Sequence, residues 1–260
     1  MPDWPAPPGV RAVCTTRAGG VSGAPFSSLN LGLQVGDEPG QVMHNRQVLQ
    51  GAVGYPLRFV NQVHGTAVWR WNPPHEATVP VADAVWSDAP GQACAVMVAD
   101  CLPLLLCSTD GAWIAAAHAG WRGLAGQGGV GILESVFEAF LALQPMDSAG
   151  EAPELIAWLG PCIGPQAFEV GPEVRAAFVE DAALDADMDA LNACFAPQAG
   201  GKYLAHLPQL ARLRLQALGL WQIYGNDGSR AWCTVSNPSD FFSYRRDRTT
   251  GRMAACIWRD

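Results

Sequence analysis

Short apolar segments follow one another closely in the first half of the chain and limit the folds that it can adopt. Each segment is about as long as a β-strand, and several are apolar at consecutive positions, as strands buried on both faces are. The segments cover residues 58–64, 67–71, 84–86, 93–99, 102–107 and 113–118. The pattern therefore predicts a sheet-rich interior.

Helical periodicity occurs in fewer places. Apolar residues at helical spacing predict helices at 41–53 and 130–143, and shorter patterns of the same kind predict helices at 173–178 and 207–218. Further strands are predicted at 155–159, 232–235, 241–244 and 253–258. Segments 17–23, 30–40 and 145–153 have the composition of loops. Runs of strands with a few helices outside them predict an α+β fold with mixed sheets.

Length, charge and composition exclude several classes of protein. With 260 residues, 49% of them hydrophobic, the chain can bury one large core, so we expect a single domain over residues 1–260. A net charge of −8 without a basic block argues against nucleic-acid binding. The longest apolar stretch, 93–107, contains Asp100 and is too short to cross a bilayer. Since no signal-peptide pattern is present, we expect a cytoplasmic protein without a membrane partner.

Three side chains that can bind a metal lie at the ends of apolar segments: His64, Cys101 and His118. Two imidazoles and one thiolate leave the fourth position of a tetrahedral site open for water or substrate, as in catalytic zinc sites. The alternative is that both histidines are hydrogen-bonded core residues and Cys101 is an inert thiol. None of the eight cysteines is spaced as Cys-x-x-Cys, which excludes a zinc ribbon.

Other polar residues lie near these three. Asp100 and Gln62 can support a metal ligand, contact the substrate or cap a turn. Arg46 falls on the inward stripe of the helix predicted at 41–53, where a guanidinium needs a carbonyl or carboxylate partner. Arg245 and Arg246, with Arg252 after them, form the densest positive cluster, which can bind phosphate or pair with Asp240 and Asp247.

Several common motifs are absent or incomplete. Residues 126–131 match Gly-x-Gly-x-x-Gly, but they begin several residues after a strand and no acidic residue ends the next one, which excludes a dinucleotide site. The chain contains no Gly-x-Ser-x-Gly elbow, P-loop or zinc deaminase signature. Its five histidines fall short of the roughly ten that a multicopper oxidase would use.

A series of motifs along nearly the whole chain resembles the bacterial YfiH/YlmD family, also called laccase-domain or multicopper polyphenol oxidase proteins. The most specific are NQVHG at 61–65, ADCLP at 99–103, AHAGWRG at 117–123, GPCIG at 160–164 and FFSYRRD at 241–247. Matching stretches also occur at 15–22, 28–32, 45–46, 82–84 and 168–171. The resemblance implies two packed mixed sheets flanked by helices, in α/β/β/α layers. It also implies zinc, or alternatively copper, bound by His64, Cys101 and His118.

The resemblance further implies phosphorolysis of adenosine, inosine, guanosine or methylthioadenosine to the base and ribose-1-phosphate, together with deamination of adenosine. Family members are also described as peptidoglycan editing factors, and the fold is similar to that of a cysteine deamidase toxin. His206 departs from the family, in which Asp is usual, and inherits no role. We expect a monomer whose partners are purine nucleosides and phosphate.

For these reactions the predicted catalytic residues are Cys101, His118, His64 and Asp100. The predicted substrate- and phosphate-binding residues are Arg46, Gln62, Arg122, Arg245 and Arg246. Deamination would use a zinc-bound water with Asp100 as proton carrier, whereas in phosphorolysis Arg46 and Arg245 or Arg246 would clamp the phosphate.

Two other classes of function remain open. The chain would be a cysteine hydrolase or peptidoglycan-editing amidase if Cys101 is a nucleophile and His118 or His64 its base. It would be a non-catalytic protein if a fourth protein ligand closes the metal site, for which His44 and Cys107 are nearest in sequence. Weak phenol oxidation would need adventitious copper at the same three ligands.

Overall fold

The apolar segments of the first half of the chain form adjacent strands at the centre of the molecule. The computed structural model describes residues 2–71, 78–143, 154–180 and 187–260. Its strands are Val10–Cys14 (β1), Leu57–Arg58 (β2), Val68–Arg70 (β3), Ala84–Ser87 (β4), Ala93–Val98 (β5), Leu102–Ser108 (β6), Ile114–Ala119 (β7), Leu155–Leu159 (β8), Glu169–Val170 (β9), Phe195–Pro197 (β10), Tyr203–Ala205 (β11), Gln222–Gly225 (β12) and Met253–Arg259 (β13). Its helices are Pro39–Val53 (α1), Trp121–Ala125 (α2), Ile132–Leu141 (α3), Pro172–Val179 (α4), Met188–Ala193 (α5), Leu207–Ala217 (α6) and Tyr244–Asp247 (α7). The strands predicted between 67 and 118, at 155–159 and at 253–258 are confirmed to within one residue at each end.

Most of the strands form two mixed sheets that pack face to face. The smaller sheet has the order β1-β13-β5-β2 and the larger the order β12-β8-β6-β7-β4-β3, and each contains parallel and antiparallel pairs. Along β5, Cys94 and Val96 lie between the sheets, whereas Ala93 and Ala95 pack with α1 on the outer face. Helices α3, α4 and α6 cover the outer face of the larger sheet. The predicted α+β fold with α/β/β/α layers is confirmed, and burial on both faces explains the uniformly apolar strands.

Helix α1 carries polar side chains into the interior, as the sequence predicts. Pro39 lies in its first turn, and Gly54, with a φ of +80°, ends it in the left-handed conformation. The buried residues recur at helical spacing: Val42, Asn45, Leu49 and Val53. Asn45 is fully buried because its amide group donates to the Ser22 hydroxyl and to two backbone carbonyls of the preceding loop. The helix therefore holds that loop against the smaller sheet.

Two strands predicted near the C-terminus are wrong. Residues 232–235 end a 3₁₀ turn and continue as a loop, and residues 241–244 lead into α7. The side-chain amide of Asn237 donates to the carbonyls of Arg230 and Cys233, which folds the chain back on itself. These side-chain hydrogen bonds to the backbone replace the sheet ladder that the aromatic pattern favours.

The strand predicted at 58–64 is also wrong for most of its length. Only its first residue belongs to a strand, β2, which ends at Arg58. The backbone N–H groups around His64 donate to the side chain of Asp83 and are therefore not available to a neighbouring strand.

Sequence patterns did not reveal β1, β12, α5 or the small antiparallel sheet β10-β11-β9, whose elements are too short to show a period. The loop predicted at 145–153 lies outside the described residues. In the described ranges no helix has the length and apolar character needed to cross a membrane.

His206 closes the N-terminus of α6. Its Nδ1 accepts a hydrogen bond from the backbone N–H of Gln209 at 3.1 Å, as an N-cap side chain does. His206→Ala should lower the free energy of unfolding by about 1 kcal/mol, whereas His206→Asp should keep the cap, because Asp is among the preferred N-cap residues. Urea titration of the three proteins at neutral pH measures the difference. Equal midpoints for the wild type and His206→Ala would contradict the cap.

The cap also predicts a dependence on pH. Burial lowers the pKa of His206 from its ordinary value of 6.5. The stabilisation is therefore complete above that value and is lost as the pH falls through the lower folded pKa, because the protonated ring can no longer accept. When the pH is lowered from 7 to 5, the free energy of unfolding of His206→Asp should therefore rise relative to that of the wild type, as measured by the same titrations. A constant difference would show that the imidazole lone pair contributes nothing.

Candidate functional site

The pairing of β6 with β7 brings together two of the predicted metal ligands. In this antiparallel register Leu102 faces Ala119 and Pro103 faces His118. Cys101 directly precedes β6 and therefore lies beside the end of β7. His118 is only 3% exposed, and Cys101 is half-buried. The hairpin thus places an imidazole and a thiol at one edge of the larger sheet.

His64 reaches the same point from a loop. Its φ of +62° lies in the left-handed region that residues other than glycine rarely adopt. Its ring centroid is 4.8 Å from that of His118, with the two planes at 73°. The ligand atoms of His64, Cys101 and His118 all lie within 4.8 Å of one another. The structure therefore brings together all three residues predicted as metal ligands.

A buried carboxylate lies behind the two histidines. Asp83 immediately precedes β4, and its Oδ1 accepts a hydrogen bond from Nδ1 of His118 at 2.8 Å. The same oxygen accepts from the backbone N–H of His64 at 3.0 Å. Oδ2 accepts from the backbone N–H groups of Val63 and Gly65 at 3.2 and 2.7 Å. Asp83 thus contacts both histidine segments and leaves Nε2 of His118 as its ligand atom.

Burial and charge act in opposite directions on the protonation of this cluster. Burial raises the pKa of the Cys101 thiol, but the charge of His118 and hydrogen bonds from both histidines outweigh it and lower this pKa to about 6. Burial lowers the pKa of His118, but the thiolate and Asp83 raise it above its ordinary value. The lowered pKa favours the thiolate of Cys101, which is the form that binds metals and also the form that acts as a nucleophile.

The donor set fits zinc. Thiolate sulfur and imidazole nitrogen are zinc's usual ligands, and three protein ligands are typical of a catalytic site with an open fourth position. In the described part of the chain no further His, Cys, Asp or Glu joins the cluster. His44 is exposed on α1, and Cys107 is buried toward the far end of β6. A carboxylate commonly accepts a hydrogen bond from a metal-binding histidine and orients its ring, and Asp83 makes this contact with His118.

The space around the ligands depends on Gly120. A Cβ atom built on this residue would lie 2.8 Å from Cδ2 of His64 and 3.0 Å from Sγ of Cys101. The backbone of Gly120, with a φ of −67°, suits any residue, so a substitution changes the available space alone. Gly120→Ala should therefore displace two of the predicted ligands, so that zinc offered to the cluster binds at least about 10-fold more weakly than to the wild type, the lower range for altered ligand orientation.

Equilibrium dialysis against zinc measures the effect of Gly120→Ala. Gly51→Ala is a matched control, because an added Cβ at Gly51 meets nothing within 4 Å. Wild-type zinc affinity in folded Gly120→Ala would show that the ligands do not need this space.

The three predicted metal ligands lie on the wall of a cavity of about 760 Å³. Segments 32–35, 59–62 and 97–101 form much of the lining, to which the start of α7 contributes Tyr244 and Arg245 and the residue before β13 contributes Arg252. This volume lies within the usual range of small-molecule sites. The open position of a metal held by these ligands would therefore face a space large enough for a nucleoside-sized ligand.

Three guanidinium groups line the same cavity: those of Arg46, Arg245 and Arg252. Arg46 donates from Nε to the carbonyl of Leu31 at 2.8 Å and lies 4.3 Å from the ring centroid of Phe59. Arg245 donates to a backbone carbonyl of β9 at 2.9 Å, and Arg252 to two carbonyls of the loop before β13. These contacts fix the three side chains, so the cavity is lined by positive charge held in place.

Two more predicted site residues line the cavity, but their polar atoms are already engaged. The side-chain amide of Gln62 pairs with the backbone N–H and carbonyl of Met97, both at 2.8 Å. Asp100 accepts from the hydroxyl of Thr234 and, at 2.6 Å, from the backbone N–H of Arg245. Both side chains therefore tie segments of the cavity wall together.

Arg122 and Arg246 do not line the cavity. Arg122 is exposed, with its guanidinium 4.5 Å from the ring centroid of Trp121. Arg246 pairs with Asp247 at 2.7 Å and donates to the carbonyl of Thr234 at 2.7 Å. Of the two interpretations of Arg246, the structure supports pairing with an acidic neighbour.

Asp83 and Arg252 are the site residues that sequence reasoning missed. Asp83 is the only polar residue in the buried stretch 82–86 apart from the tryptophan N–H, and a lone buried carboxylate requires hydrogen-bond donors around it. That isolation was a usable signal. Arg252 belonged to the recognised positive cluster, but only the position of β13 shows that it lies in the cavity and that Arg246 does not.

The chain is similar to known proteins over nearly its whole length. The family model described as multi-copper polyphenol oxidoreductase laccase matches residues 11–260. A Pseudomonas aeruginosa protein named purine nucleoside phosphorylase is 47% identical over 259 residues, covering 99% of this chain and 96% of the relative. Escherichia coli K12 purine nucleoside phosphorylase YfiH is 48% identical over 260 residues, covering 99% and 97%.

Solved structures show the same architecture. A Neisseria meningitidis protein of family DUF152 superposes with a TM-score of 0.85 at 43% identity, covering 100% of this chain and 98% of the other. YlmD from Geobacillus stearothermophilus superposes with a TM-score of 0.83 at 31% identity, covering 98% and 93%. The similarity therefore includes every segment that lines the cavity.

Proposed function

Because the chain belongs to the YfiH/YlmD family of laccase-domain proteins, we propose that it is a zinc-dependent purine nucleoside phosphorylase. Its proposed substrates are adenosine, inosine, guanosine and methylthioadenosine. A phosphate oxygen bonds to C1′ of the ribose, the bond from C1′ to the purine nitrogen breaks, and the purine takes up a proton. The products are the free base and the ribose-1-phosphate, or its methylthio analogue.

The observation that carries this proposal is the excess of positive side chains in the cavity lining. Among the residues that the structure describes, the guanidinium groups of Arg46, Arg245 and Arg252 donate to backbone carbonyls and form no ion pair with a carboxylate. In a chain with 24 acidic and 16 basic residues, a cavity lined by three arginines and one carboxylate, Asp100, which accepts from Thr234 and from a backbone N–H, favours an anionic ligand. Phosphate, with several acceptor oxygens, matches the donor geometry of guanidinium groups.

The three arginines have different places relative to the metal ligands. Arg252 is close enough to Cys101 and Asp100 for their charges to act on its pKa, which burial lowers overall. Arg46 and Arg245 approach the cavity from α1 and α7. We assign all three to phosphate, which they would hold between them next to the metal ligands. Restraining the phosphate in this way lowers the entropic cost of its attack on the ribose.

The apolar part of the cavity is assigned to the purine. Trp121 and Tyr244 line it, and Tyr244 is half exposed at the start of α7. Phe59 and Phe168 also line the cavity, but their rings lie against the guanidinium groups of Arg46 and Arg245. Flat aromatic side chains stack on purine rings without demanding one particular base. This lining is consistent with a nucleoside phosphorylase that accepts more than one purine.

The proposed zinc ligands are His64, Cys101 and His118. Zinc bound there would supply a Lewis acid next to the phosphate site. The chain's own arginines would hold the anion, and Asp83 would keep His118 oriented. We assign Asp100 to support of the cavity wall, because both of its oxygens already accept hydrogen bonds.

Deamination of adenosine is a further proposed activity of the same centre. It requires a group that moves a proton to the departing ammonia. Asp100, the predicted carrier, accepts hydrogen bonds from Thr234 and Arg245 and has no contact with a metal ligand among the described hydrogen bonds. The three arginines instead favour a reaction that uses phosphate. We therefore propose phosphorolysis as the main activity.

A cysteine hydrolase is the second candidate, because Asp83, His118 and Cys101 are in contact in the order of orienting acid, base and nucleophile. Such a metal-free protein would cleave amides, which includes a peptidoglycan-editing reaction. Weak phenol oxidation by copper at the same ligands is a lesser alternative. Metal content separates the candidates, since the hydrolase needs a free Cys101 thiolate.

The test is incubation of the purified protein, after its metals are quantified, with adenosine or inosine in the presence and absence of phosphate. Chromatography then separates base, inosine and ribose-1-phosphate. Release of base that requires phosphate, and that Cys101→Ala lacks, supports the phosphorylase. Inosine formed from adenosine without phosphate would make deamination the main activity. No turnover by zinc-loaded protein would contradict both and favour the hydrolase.

A further inference from the structure

We propose that Asp83 is the positioning residue that builds the metal centre, because its single carboxylate holds both His118 and the loop that carries His64. The assignment rests on the proposed zinc-dependent function. The side chain of Asp83 is completely buried, yet it forms no ion pair with a lysine or arginine within the described residues. Its two oxygens instead accept four hydrogen bonds, all from the two histidine segments.

On the side of His118, the carboxylate fixes both the orientation and the tautomer of the ring. Since Oδ1 of Asp83 accepts from Nδ1 at 2.8 Å, the ring proton is held on Nδ1 and the lone pair of the neutral ring is on Nε2. The backbone N–H of His118 also donates to the carbonyl of Asp83 at 2.7 Å. Side chain and main chain of His118 are therefore tied to the same residue.

On the side of His64, the carboxylate occupies an anion-binding loop. Three consecutive backbone N–H groups, those of Val63, His64 and Gly65, converge on its two oxygens. Such a concave array of N–H groups binds anions, and here the anion is a side chain of the protein. These hydrogen bonds also stabilise the left-handed conformation of His64, which is otherwise unfavourable for a residue with a side chain. Without them the imidazole would lose its place beside Cys101.

An amide in place of the carboxylate cannot satisfy both sides. If the NH₂ group of Asn replaced Oδ1, it would face Nδ1 of His118 as a donor and favour the tautomer whose Nε2 carries the proton and cannot bind metal. If it replaced Oδ2, it would oppose the N–H groups of Val63 and Gly65 and release the loop. Asp83→Asn therefore weakens one histidine ligand in either orientation.

The experiment compares the wild type with Asp83→Asn, Asp83→Glu and Asp110→Asn. Asp110 is the matched control, because its carboxylate also accepts from a hydroxyl and a backbone N–H, but at the opposite end of the β6–β7 hairpin. Zinc affinity is measured by competition with a chromogenic chelator. The absorption spectrum of the cobalt-substituted proteins reports ligand geometry, and circular dichroism of the metal-free proteins reports folding.

We expect Asp83→Asn to bind zinc about 10- to 100-fold more weakly, the usual effect of losing a carboxylate that orients a metal-binding histidine, with a changed cobalt spectrum. Asp83→Glu should be impaired as well, since its longer side chain keeps the charge but not the four contacts. Asp110→Asn should match the wild type. Wild-type affinity and spectrum in Asp83→Asn would overturn the assignment. If the wild type itself bound no zinc, the proposed function would fail with it.

A second measurement needs no variant and therefore does not depend on whether Asp83→Asn folds. Long-range proton–nitrogen NMR spectra of the zinc-loaded wild type identify the protonated ring nitrogen of His118. The assignment expects a proton on Nδ1 and the metal on Nε2. Metal bound at Nδ1 of His118 would overturn it.

Discussion

Replacing Cys101 with serine is expected to remove both zinc and phosphorolysis. Sulfur is the only anionic donor among the three ligands, and a serine hydroxyl is a far weaker zinc ligand at neutral pH than a thiolate. Since disturbing a residue behind a ligand commonly costs 10- to 100-fold in affinity or activity, loss of the ligand itself should lower kcat/KM by more than about 100-fold. Metal analysis and assay of base release check the two losses together.

The matched control for Cys101→Ser is Cys14→Ser, which changes another half-buried thiol, in β1. It should keep its zinc and its activity. Alkylation separates the two candidate functions, because a zinc-bound thiolate resists iodoacetamide until a chelator removes the metal, whereas a nucleophilic Cys101 reacts at once. A Cys101→Ser protein that is free of zinc and fully active would contradict the metal-dependent mechanism.

Replacing Arg46 with alanine is expected to raise the KM for phosphate by about 10- to 100-fold. A hydrogen bond to a charged group contributes about 1.5–3 kcal/mol, and each 1.4 kcal/mol corresponds to about a factor of ten. Zinc content should not change, because Arg46 donates to Leu31 and Met97 and to none of the metal ligands. Initial rates over a range of phosphate concentrations at saturating inosine measure the effect.

Comparison with other arginines makes this result specific. Arg252→Ala should likewise weaken phosphate binding, whereas Arg70→Ala, which removes an exposed ion pair with Asp88, should leave the KM for phosphate unchanged. Arg246→Ala should lower stability through its lost contacts with the 234–247 segment without the same effect on KM. Unchanged phosphate dependence in Arg46→Ala would rule out its proposed role.

The fold could be predicted wherever burial alone determines the local structure. Strands β4 to β8 are buried on both faces, so their apolar runs are long, uninterrupted and easy to delimit. Prediction failed where side chains compete with the backbone for hydrogen bonds. Asn237 turns the chain where aromatic residues favour a strand, and Asp83 draws the N–H groups around His64 out of the sheet. Such competition depends on residues distant in sequence, which a local pattern cannot contain.

In the candidate site, too, some residues could be predicted from the sequence and others could not. The metal-binding residues could be predicted because few combinations of side chains bind a metal, and each of the three ends an apolar segment. The sequence could not show which arginines line the cavity, because Arg245 and Arg246 are adjacent on α7 but their side chains have different neighbours. Arg245 reaches the cavity lining, while Arg246 is satisfied by Asp247 and by carbonyls of the preceding loop. Only the direction of the helix decides between them.

The β6–β7 hairpin implies an order of events in the assembly of the metal centre. Cys101 and His118 lie at the open end of one hairpin, whose contacts are local in sequence, so we expect them to form early in folding. His64 reaches the cluster through Asp83, whose contact with His118 spans 35 residues, so we expect it to join after the hairpin has formed. We therefore expect an ion present during folding to meet a two-ligand, easily reversible site first. In the mature protein, opening of the loop that carries His64 would suffice for metal exchange, while both sheets stay folded.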